Sequence, residues 1–205
     1  MPAMERVLAA AVLDSRGLAG SAGAAASLPA RELRRLDLLS QGLVRCAQAA
    51  LTGVALEAPE ETALVFASTR GCLEADLAFQ ASLVPGAEAA PQLFPLTLPS
   101  AALGELARRW GLTGPTLCLC AERPPEHGQA LDEALALLRA GEARAALVGF
   151  GDALSPEMAG RVGLEPRLEL GLVLIGAGEG LFDLEMLRAT PDPWAFLRER
   201  VEAAR

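Results

Sequence analysis

The chain lacks lysine, tyrosine and asparagine altogether, and its only histidine is His127. All 18 basic residues are therefore arginines; they stand against 26 acidic residues and leave a net charge of −8. Nucleic-acid binding needs a basic surface that neutralises phosphates, so this charge balance argues against a nucleic-acid partner.

Cysteines are few and the hydrophobic runs are short. Cys46, Cys72, Cys118 and Cys120 have neither metal-ligand spacing nor the pattern of a disulfide framework, so we predict no metal, no cofactor and a reducing, cytoplasmic location. The apolar run 7–13 is far shorter than the ~20 residues of a membrane span and lacks the basic lead of a signal peptide. We predict a buried strand there and no membrane span.

The 205 residues are 52% apolar and 21% charged, which predicts one globular domain over 1–205. Apolar runs predict strands, and spacings of three or four residues predict helices. The predicted strands cover 6–13, 62–68, 116–120, 144–150 and 168–176; the predicted helices cover 31–51, 72–83, 101–110 and 127–140, with a short helix in the tail 190–205. This alternation indicates an α/β fold.

Turn and cap residues refine these bounds. Segment 17–27 is rich in glycine, alanine and serine and is predicted to be a loop. We predict that Ser100 caps helix 101–110, which ends at Gly111, and that Asp192 caps the tail helix with Pro193 as its first residue.

Four segments, in order, resemble the N-terminal half of the β-ketoacyl synthases, members of the thiolase superfamily. They are Arg-Leu-Asp at 35–37, TALVFASTRGCLEADLAF at 62–79, LFPLTLPSAALGELARRWGLTGP at 93–115 and ALDEALALLRAGEARAALVGFGDAL at 130–154. In the last segment, Gly-Phe-Gly-Asp stands where the family usually has Gly-Gly-x-Glu. The resemblance implies a thiolase-like N-terminal half: a mixed, mostly parallel sheet covered by helices.

The nucleophile turn of that family has lost its cysteine here. The family places a cysteine about eight residues after Gly-Pro, at the start of a helix, where the helix dipole stabilises its thiolate. This chain has a degenerate turn of Glu122, Arg123, Pro124 and Pro125, and the prolines remove amide donors that an oxyanion would need. The family's two catalytic histidines lie in a second half that this chain does not contain. We therefore expect no condensing activity.

Other catalytic arrangements remain open. Cys118 or Cys120 could pair with His127 as nucleophile and base, although thiols inside a strand are expected to be buried and inert. An acyl-thioester hydrolase or transferase that uses Cys120 or Glu122 is the alternative function. Arg34 and Arg35 are expected to lie on a solvated helix face.

Helix 129–139 has one apolar side and one polar side, which predicts a sheet beneath it and water or a polar partner above, as in a stand-alone half-length form. The resemblance implies dimerisation through the strand before the turn. Its residues are Thr116, Leu117, Cys118, Leu119 and Cys120. We expect a homodimer, or a heterodimer with a full-length ketosynthase, and an acyl carrier protein as a further partner.

The leading function is a non-condensing accessory protein, similar to a chain length factor, in fatty-acid, polyketide or aryl-polyene-type biosynthesis. A purely structural dimer is the remaining alternative.

Overall fold

The computed structural model of the chain describes residues 5–21, 30–83, 90–122 and 126–204. The strands are β1 (Arg6–Asp14), β2 (Gly17–Gly20), β3 (Thr62–Ser68), β4 (Thr116–Cys120), β5 (Ala145–Leu154), β6 (Arg167–Gly176) and β7 (Phe182–Asp183). The helices are α1 (Ala30–Leu33), α2 (Leu38–Leu51), α3 (Leu73–Ser82), α4 (Ser100–Trp110), α5 (His127–Ala140), α6 (Pro156–Val162), α7 (Leu184–Ala189) and α8 (Pro193–Ala203). Two 3₁₀ turns cover Pro59–Glu61 and Pro91–Thr97.

The strands form one mixed sheet in the order β2-β1-β6-β5-β3-β4, and β7 pairs with β1. The predicted α/β fold with a mixed sheet under helices is confirmed. The expectation that the sheet is mostly parallel is wrong: β3 is parallel to β4 and β5, whereas the other pairings are antiparallel. The turn between β1 and β2 is too short for the crossover that parallel neighbours require, so these strands form a hairpin.

Helices cover both faces of the sheet. α2 and α4 pack against one face, and α5, α7 and α8 pack against the other. All seven residues of β3 are buried between the two layers, which explains why this strand reads as a continuous apolar run. In the described part of the chain, no helix is both long and apolar enough to cross a membrane.

The long helix predicted over 31–51 is divided into α1 and α2. Asp37 caps α2, because its carboxylate accepts a hydrogen bond from the Ser40 N–H at 2.6 Å. The predicted cap at Ser100 is wrong: α4 begins at Ser100 itself, and Pro99 occupies the cap position without a side-chain hydrogen bond. The predicted cap at Asp192 is present, with the Ala195 N–H donating to it at 2.9 Å.

Two further stretches differ from the sequence-based expectation. Gly17–Gly20 is a strand rather than a loop, because its backbone pairs with β1 after a turn in which Gly17 has φ +98°; residues 22–27 of the same predicted loop lie outside the described residues. The short helix α6 was not predicted, although Ser155 and Pro156 form a standard start for it.

Candidate functional site

The candidate site lies at the start of α5, beside the carboxyl ends of β3 and β5. Glu126 immediately precedes α5, and His127 is its first residue. β3 and β5 run parallel, so the turn that follows Ser68 lies close to Asp152 of β5. Arg167, the first residue of β6, lies at the same end because β6 runs antiparallel to β5.

Two buried carboxylates share one arginine at this end of the sheet, and we call Glu126, Asp152 and Arg167 the Arg167 cluster. Arg167 Nη1 donates to Asp152 Oδ2 at 2.6 Å and to Glu126 Oε1 at 2.9 Å, and Nη2 donates to Glu126 Oε2 at 3.4 Å. Neither carboxylate has exposed side-chain surface, whereas 15% of the Arg167 side chain is exposed. The three side chains form one ionic network.

The turn after β3 is hydrogen-bonded to this cluster. Ser68 Oγ donates to Asp152 Oδ1 at 2.5 Å, and the Arg70 N–H donates to the same oxygen at 2.9 Å. The Gly71 N–H donates to Ser68 Oγ at 2.7 Å, and the Thr69 hydroxyl donates to Glu126. These bonds satisfy carboxylate oxygens that would otherwise be buried at a high cost in free energy.

The positive charge of Arg167 is stabilised by its acidic neighbours. Burial would by itself lower the pKa of Arg167, but its hydrogen bond to Glu169 and the nearby negative charges of Glu126 and Asp152 raise that pKa overall. Arg167 Nε donates to Glu169 Oε2 at 3.0 Å, and the guanidinium carbon lies 6.0 Å from the centre of the Trp194 ring. Arg167 is therefore a permanent cation in this network.

His127 is buried, with 3% of its surface exposed, and its ring lies 5.8 Å from that of Phe150. Its Nδ1 atom has no hydrogen-bond partner among the described residues. Burial lowers the pKa of His127, and backbone groups of Leu187 and Thr190 oppose that shift. Burial thus favours the neutral form of the imidazole, which packs between the sheet and α7.

The two thiols of β4 lie on the opposite side of the sheet from His127. Leu117 and Leu119 pack into the core that contains α5, and alternate side chains of a strand point to opposite faces. The expectation of buried cysteines is wrong because β4 is an edge strand, and both Cys118 and Cys120 are exposed. Partial desolvation, together with the neighbouring Cys120, raises the pKa of Cys118.

The remaining predicted residues of the turn are not brought into the cluster. Glu122 is exposed after the end of β4. Arg123, Pro124 and Pro125 lie outside the described residues. Within the described ranges, no group of three or more histidine, cysteine or acidic side chains is placed to hold a metal ion.

Sequence reasoning did not identify the Arg167 cluster. Ser68 and Asp152 carried a weak signal, because each is a polar residue near the carboxyl end of an apolar strand. Arg167 carried no local signal, since its partner Glu126 is 41 positions away in the chain.

A second surface, which we call the arginine face, consists of Arg31, Arg34, Arg35, Arg108 and Arg109. α1 and the end of α4 lie side by side here, and Arg109 Nη1 donates to Glu32 at 3.0 Å. Arg31, Arg34 and Arg35 are exposed, and none of the three forms a salt bridge within the described ranges.

Two adjoining grooves border the arginine face. A groove of about 510 Å³ is lined by arginines together with Glu32 and Glu105. It shares Arg35 and Leu36 with a more apolar groove of about 690 Å³ that runs between α2, α3 and the 3₁₀ turn at Pro91–Thr97. A concentration of positive charge therefore lies beside apolar surface in an otherwise acidic protein.

Comparison with known proteins agrees with this architecture. The family described as "Beta-ketoacyl synthase, N-terminal domain" matches residues 14–174. The chain belongs to this family. A search of curated protein sequences returned no significant match.

The chain is also similar to solved structures of ketosynthase complexes. It is 19% identical to the ishigamide ketosynthase/chain length factor (TM-score 0.68) over 85% of this chain and 62% of that one. It is 23% identical to the structure of the ketosynthase ApeO in complex with its chain length factor ApeC from Xenorhabdus doucetiae (TM-score 0.63) over 81% and 66%. A third structure, AntDE:AntF, is a type II PKS acyl-carrier protein in complex with its ketosynthase. The chain is 13% identical to it (TM-score 0.65) over 91% of this chain and 64% of that one. The chain spans about three fifths to two thirds of these proteins, and the likeness shows the fold.

Proposed function

We propose that this chain is a non-condensing β-ketoacyl synthase-like accessory protein, similar to a chain length factor, in fatty-acid, polyketide or aryl-polyene-type biosynthesis. One observation carries the proposal: fully buried Glu126, held by Arg167 and Thr69, lies at the start of α5. The family places its nucleophilic cysteine in the turn that leads into this helix.

The physical argument concerns the first step of condensation. A thiolate must attack an acyl thioester, and it must be exposed to the substrate and poised at a helix N-terminus. The same helix dipole stabilises the carboxylate of Glu126. Its oxygens, however, accept hydrogen bonds from Arg167, and no part of its side chain reaches solvent. Exposed Cys118 and Cys120 lie on the other face of the sheet and cannot take over this role.

The proposed partners are a second copy of the chain, or a full-length ketosynthase, bound through β4. Among the described residues, β4 pairs with β3 on one side only, and an edge strand offers free backbone groups for pairing with another chain. The neighbouring structures include a ketosynthase in complex with its chain length factor, which supports a paired assembly. The proposal includes a cytoplasmic location, which four free cysteines support.

The proposal also assigns the arginine face to an acyl carrier protein. Unpaired positive charges in a protein of net charge −8 favour an acidic partner surface, and a solved neighbour holds an acyl-carrier protein with its ketosynthase. The sequence predicts a solvated helix face for Arg34 and Arg35. We propose that this face is where the acyl carrier protein docks.

Loss of condensation is tested with the purified chain, an acyl carrier protein loaded with an acyl group, and its malonyl form. We expect no acyl adduct on the chain by intact mass spectrometry and no condensation product. An adduct on Cys120 or Glu122, or a single cysteine that reacts with a thiol probe far faster than the others, would overturn the proposal in favour of the hydrolase or transferase alternative.

The partners are tested by sedimentation of the chain alone and with a ketosynthase from the same source. We expect a homodimer of the chain alone or a heterodimer with the ketosynthase. A chain that stays monomeric at micromolar concentration in both samples would contradict the proposed assembly.

For the carrier protein, the double variant Arg34→Glu/Arg35→Glu should weaken binding and reduce the salt dependence of binding. Arg139→Glu, an exposed change on α5, is the matched control and should leave binding unaltered.

A further inference from the structure

β4 is an edge strand of five residues without a charged side chain. Thr116, Cys118 and Cys120 are exposed along it, whereas Leu117 and Leu119 are half-buried against the core. Natural edge strands are commonly protected by charges that repel a second strand. The absence of such charges leaves nothing on β4 to oppose pairing with an identical strand.

Antiparallel pairing of β4 with its own copy around a two-fold axis fixes which residues face each other. If all five residues pair, the axis passes through the central residue, Cys118, which then lies opposite Cys118 of the second copy. Leu117 lies opposite Leu119, and Thr116 opposite Cys120. A two-fold axis perpendicular to the sheet keeps equivalent side chains on the same face, so the two Cys118 thiols project side by side.

Distances favour a bond between copies over a bond within one copy. Directly opposed residues of an antiparallel pair have Cβ atoms about 4.5–5.5 Å apart. The two Cβ atoms of a disulfide are about 3.5–4.5 Å apart, so the two ranges meet at ~4.5 Å. Cys118 and Cys120 of one strand are separated by two residue rises, ~6.6 Å, and cannot be joined without distorting β4.

We propose that β4 pairs with β4 of a second copy with the two Cys118 residues opposed, and that a disulfide oxidant converts this pair into a covalent dimer. The inference rests on the part of the proposed function that assigns β4 as the dimer strand between two copies. One Cys118 thiolate attacks the oxidant RSSR and releases RS⁻; the second thiolate then attacks the mixed disulfide and releases another RS⁻. The two sulfurs are oxidised, RSSR is reduced to two RSH, and the two thiol protons end on the released thiolates.

Partial desolvation and the neighbouring Cys120 raise the pKa of the exposed Cys118 thiol. Because the thiolate is the attacking species, the rate of cross-linking is expected to increase with pH.

Oxidised glutathione and non-reducing electrophoresis of the full chain test this register. We expect a covalent dimer whose mass is two hydrogen masses below twice that of the reduced chain. Cys118→Ser should abolish this dimer, and Cys120→Ser should retain it. Cys46→Ala is the control for a thiol with no exposed surface and should also retain the covalent dimer.

A compensating variant makes the test sharper. Thr116 lies opposite Cys120 of the other copy in the proposed register, so Cys118→Ser combined with Thr116→Cys should restore cross-linking through two new bonds. Cross-linking lost in both Cys118→Ser and Cys120→Ser would place these residues opposite each other and overturn the assigned register. Cross-linking that persists in Cys118→Ser would show that other thiols react when two molecules collide, and it would contradict the proposed pairing of β4.

Sedimentation separates failure of the inference from failure of the dimer. A reduced dimer that resists oxidation would overturn the Cys118 register and leave the β4 dimer standing. A reduced monomer at micromolar concentration would overturn both.

Discussion

At the start of α5, two carboxylates depend on a single guanidinium. Glu126 and Asp152 are fully buried, and Arg167 is the only arginine within the described residues that forms a salt bridge with either of them. Breaking a buried ion pair is costly, because the remaining charge stays desolvated without compensation. Replacement of Arg167 alone should therefore measurably lower the free energy of unfolding.

Arg167→Met should lower the free energy of unfolding by about 3–5 kcal/mol. The matched control is Arg161→Met, since Arg161 pairs with Glu157 at 3.3 Å on the exposed surface of α6. Such exposed pairs contribute about 0–1 kcal/mol. Urea denaturation of both variants measures the difference, and equal small losses would mean that Glu126 and Asp152 are not buried as charged groups.

The burial of His127 predicts that the free energy of unfolding depends on pH. Burial lowers the pKa of His127 below its ordinary value of 6.5, so the unfolded chain takes up a proton before the folded chain does. Stability is therefore expected to be highest above pH 6.5 and to fall as the pH decreases below it. His127→Leu should flatten this slope in urea titrations between about pH 7.5 and 5.5; an unchanged slope would contradict the assignment.

At the scale of elements, helix starts and strand edges decide where side chains lie. Asp37 ends what periodicity alone would read as one long helix, because its carboxylate holds the Ser40 N–H and starts α2. α5 meets its predicted bounds, with Ala130, Leu131, Ala134 and Leu135 buried. On its polar side, Asp132 accepts a hydrogen bond from Arg188 of α7. A second apolar layer over this side would have to bury the charges of Asp132 and Glu133.

The caps provide a matched pair of substitutions. Asp37→Ala should destabilise the protein by about 0.5–2 kcal/mol, because it removes the side-chain acceptor at the start of α2. Ser100→Ala should cause no comparable loss, because Pro99 and not Ser100 occupies the cap position of α4. Thermal or urea unfolding compares the two, and an equal effect of both changes would contradict the assigned cap.

At the scale of the whole molecule, charge and edge exposure set the surfaces that are free to associate. The arginine face lies at α1 and α4, whereas β4 forms one edge of the sheet. The two proposed contacts, carrier protein and second copy, therefore use different surfaces. Disruption of one should leave the other intact.

Cys118→Lys should convert the reduced dimer into a monomer, because two like charges would be opposed across the two-fold axis. Glu133→Lys changes the charge on exposed α5 surface and should leave the dimer intact. Sedimentation at micromolar concentration measures both, and urea midpoints verify that each variant is folded. A dimer that persists in Cys118→Lys would show that β4 is not the contact.

Sequence pattern predicted much of the fold and little of the site. β3, β4 and α5 have the predicted bounds, because their apolar periodicity is a local signal. Gly141, which ends α5 in the left-handed conformation, is a local signal of the same kind. Family resemblance predicted the mixed sheet, but periodicity alone does not encode strand direction. The prediction that residues 1–205 form a single domain stays a prediction.

Chain-local information was sufficient for the α/β class and for the missing cysteine in the turn before α5, since period, caps and residue identity are properties of neighbouring positions. Strand order was needed to show that β4 is an edge strand, which leaves Cys118 and Cys120 exposed. The Arg167 cluster and the arginine face also required the folded chain. Their members come from distant positions, and the interaction of charges depends on spatial distance and desolvation rather than on separation in sequence.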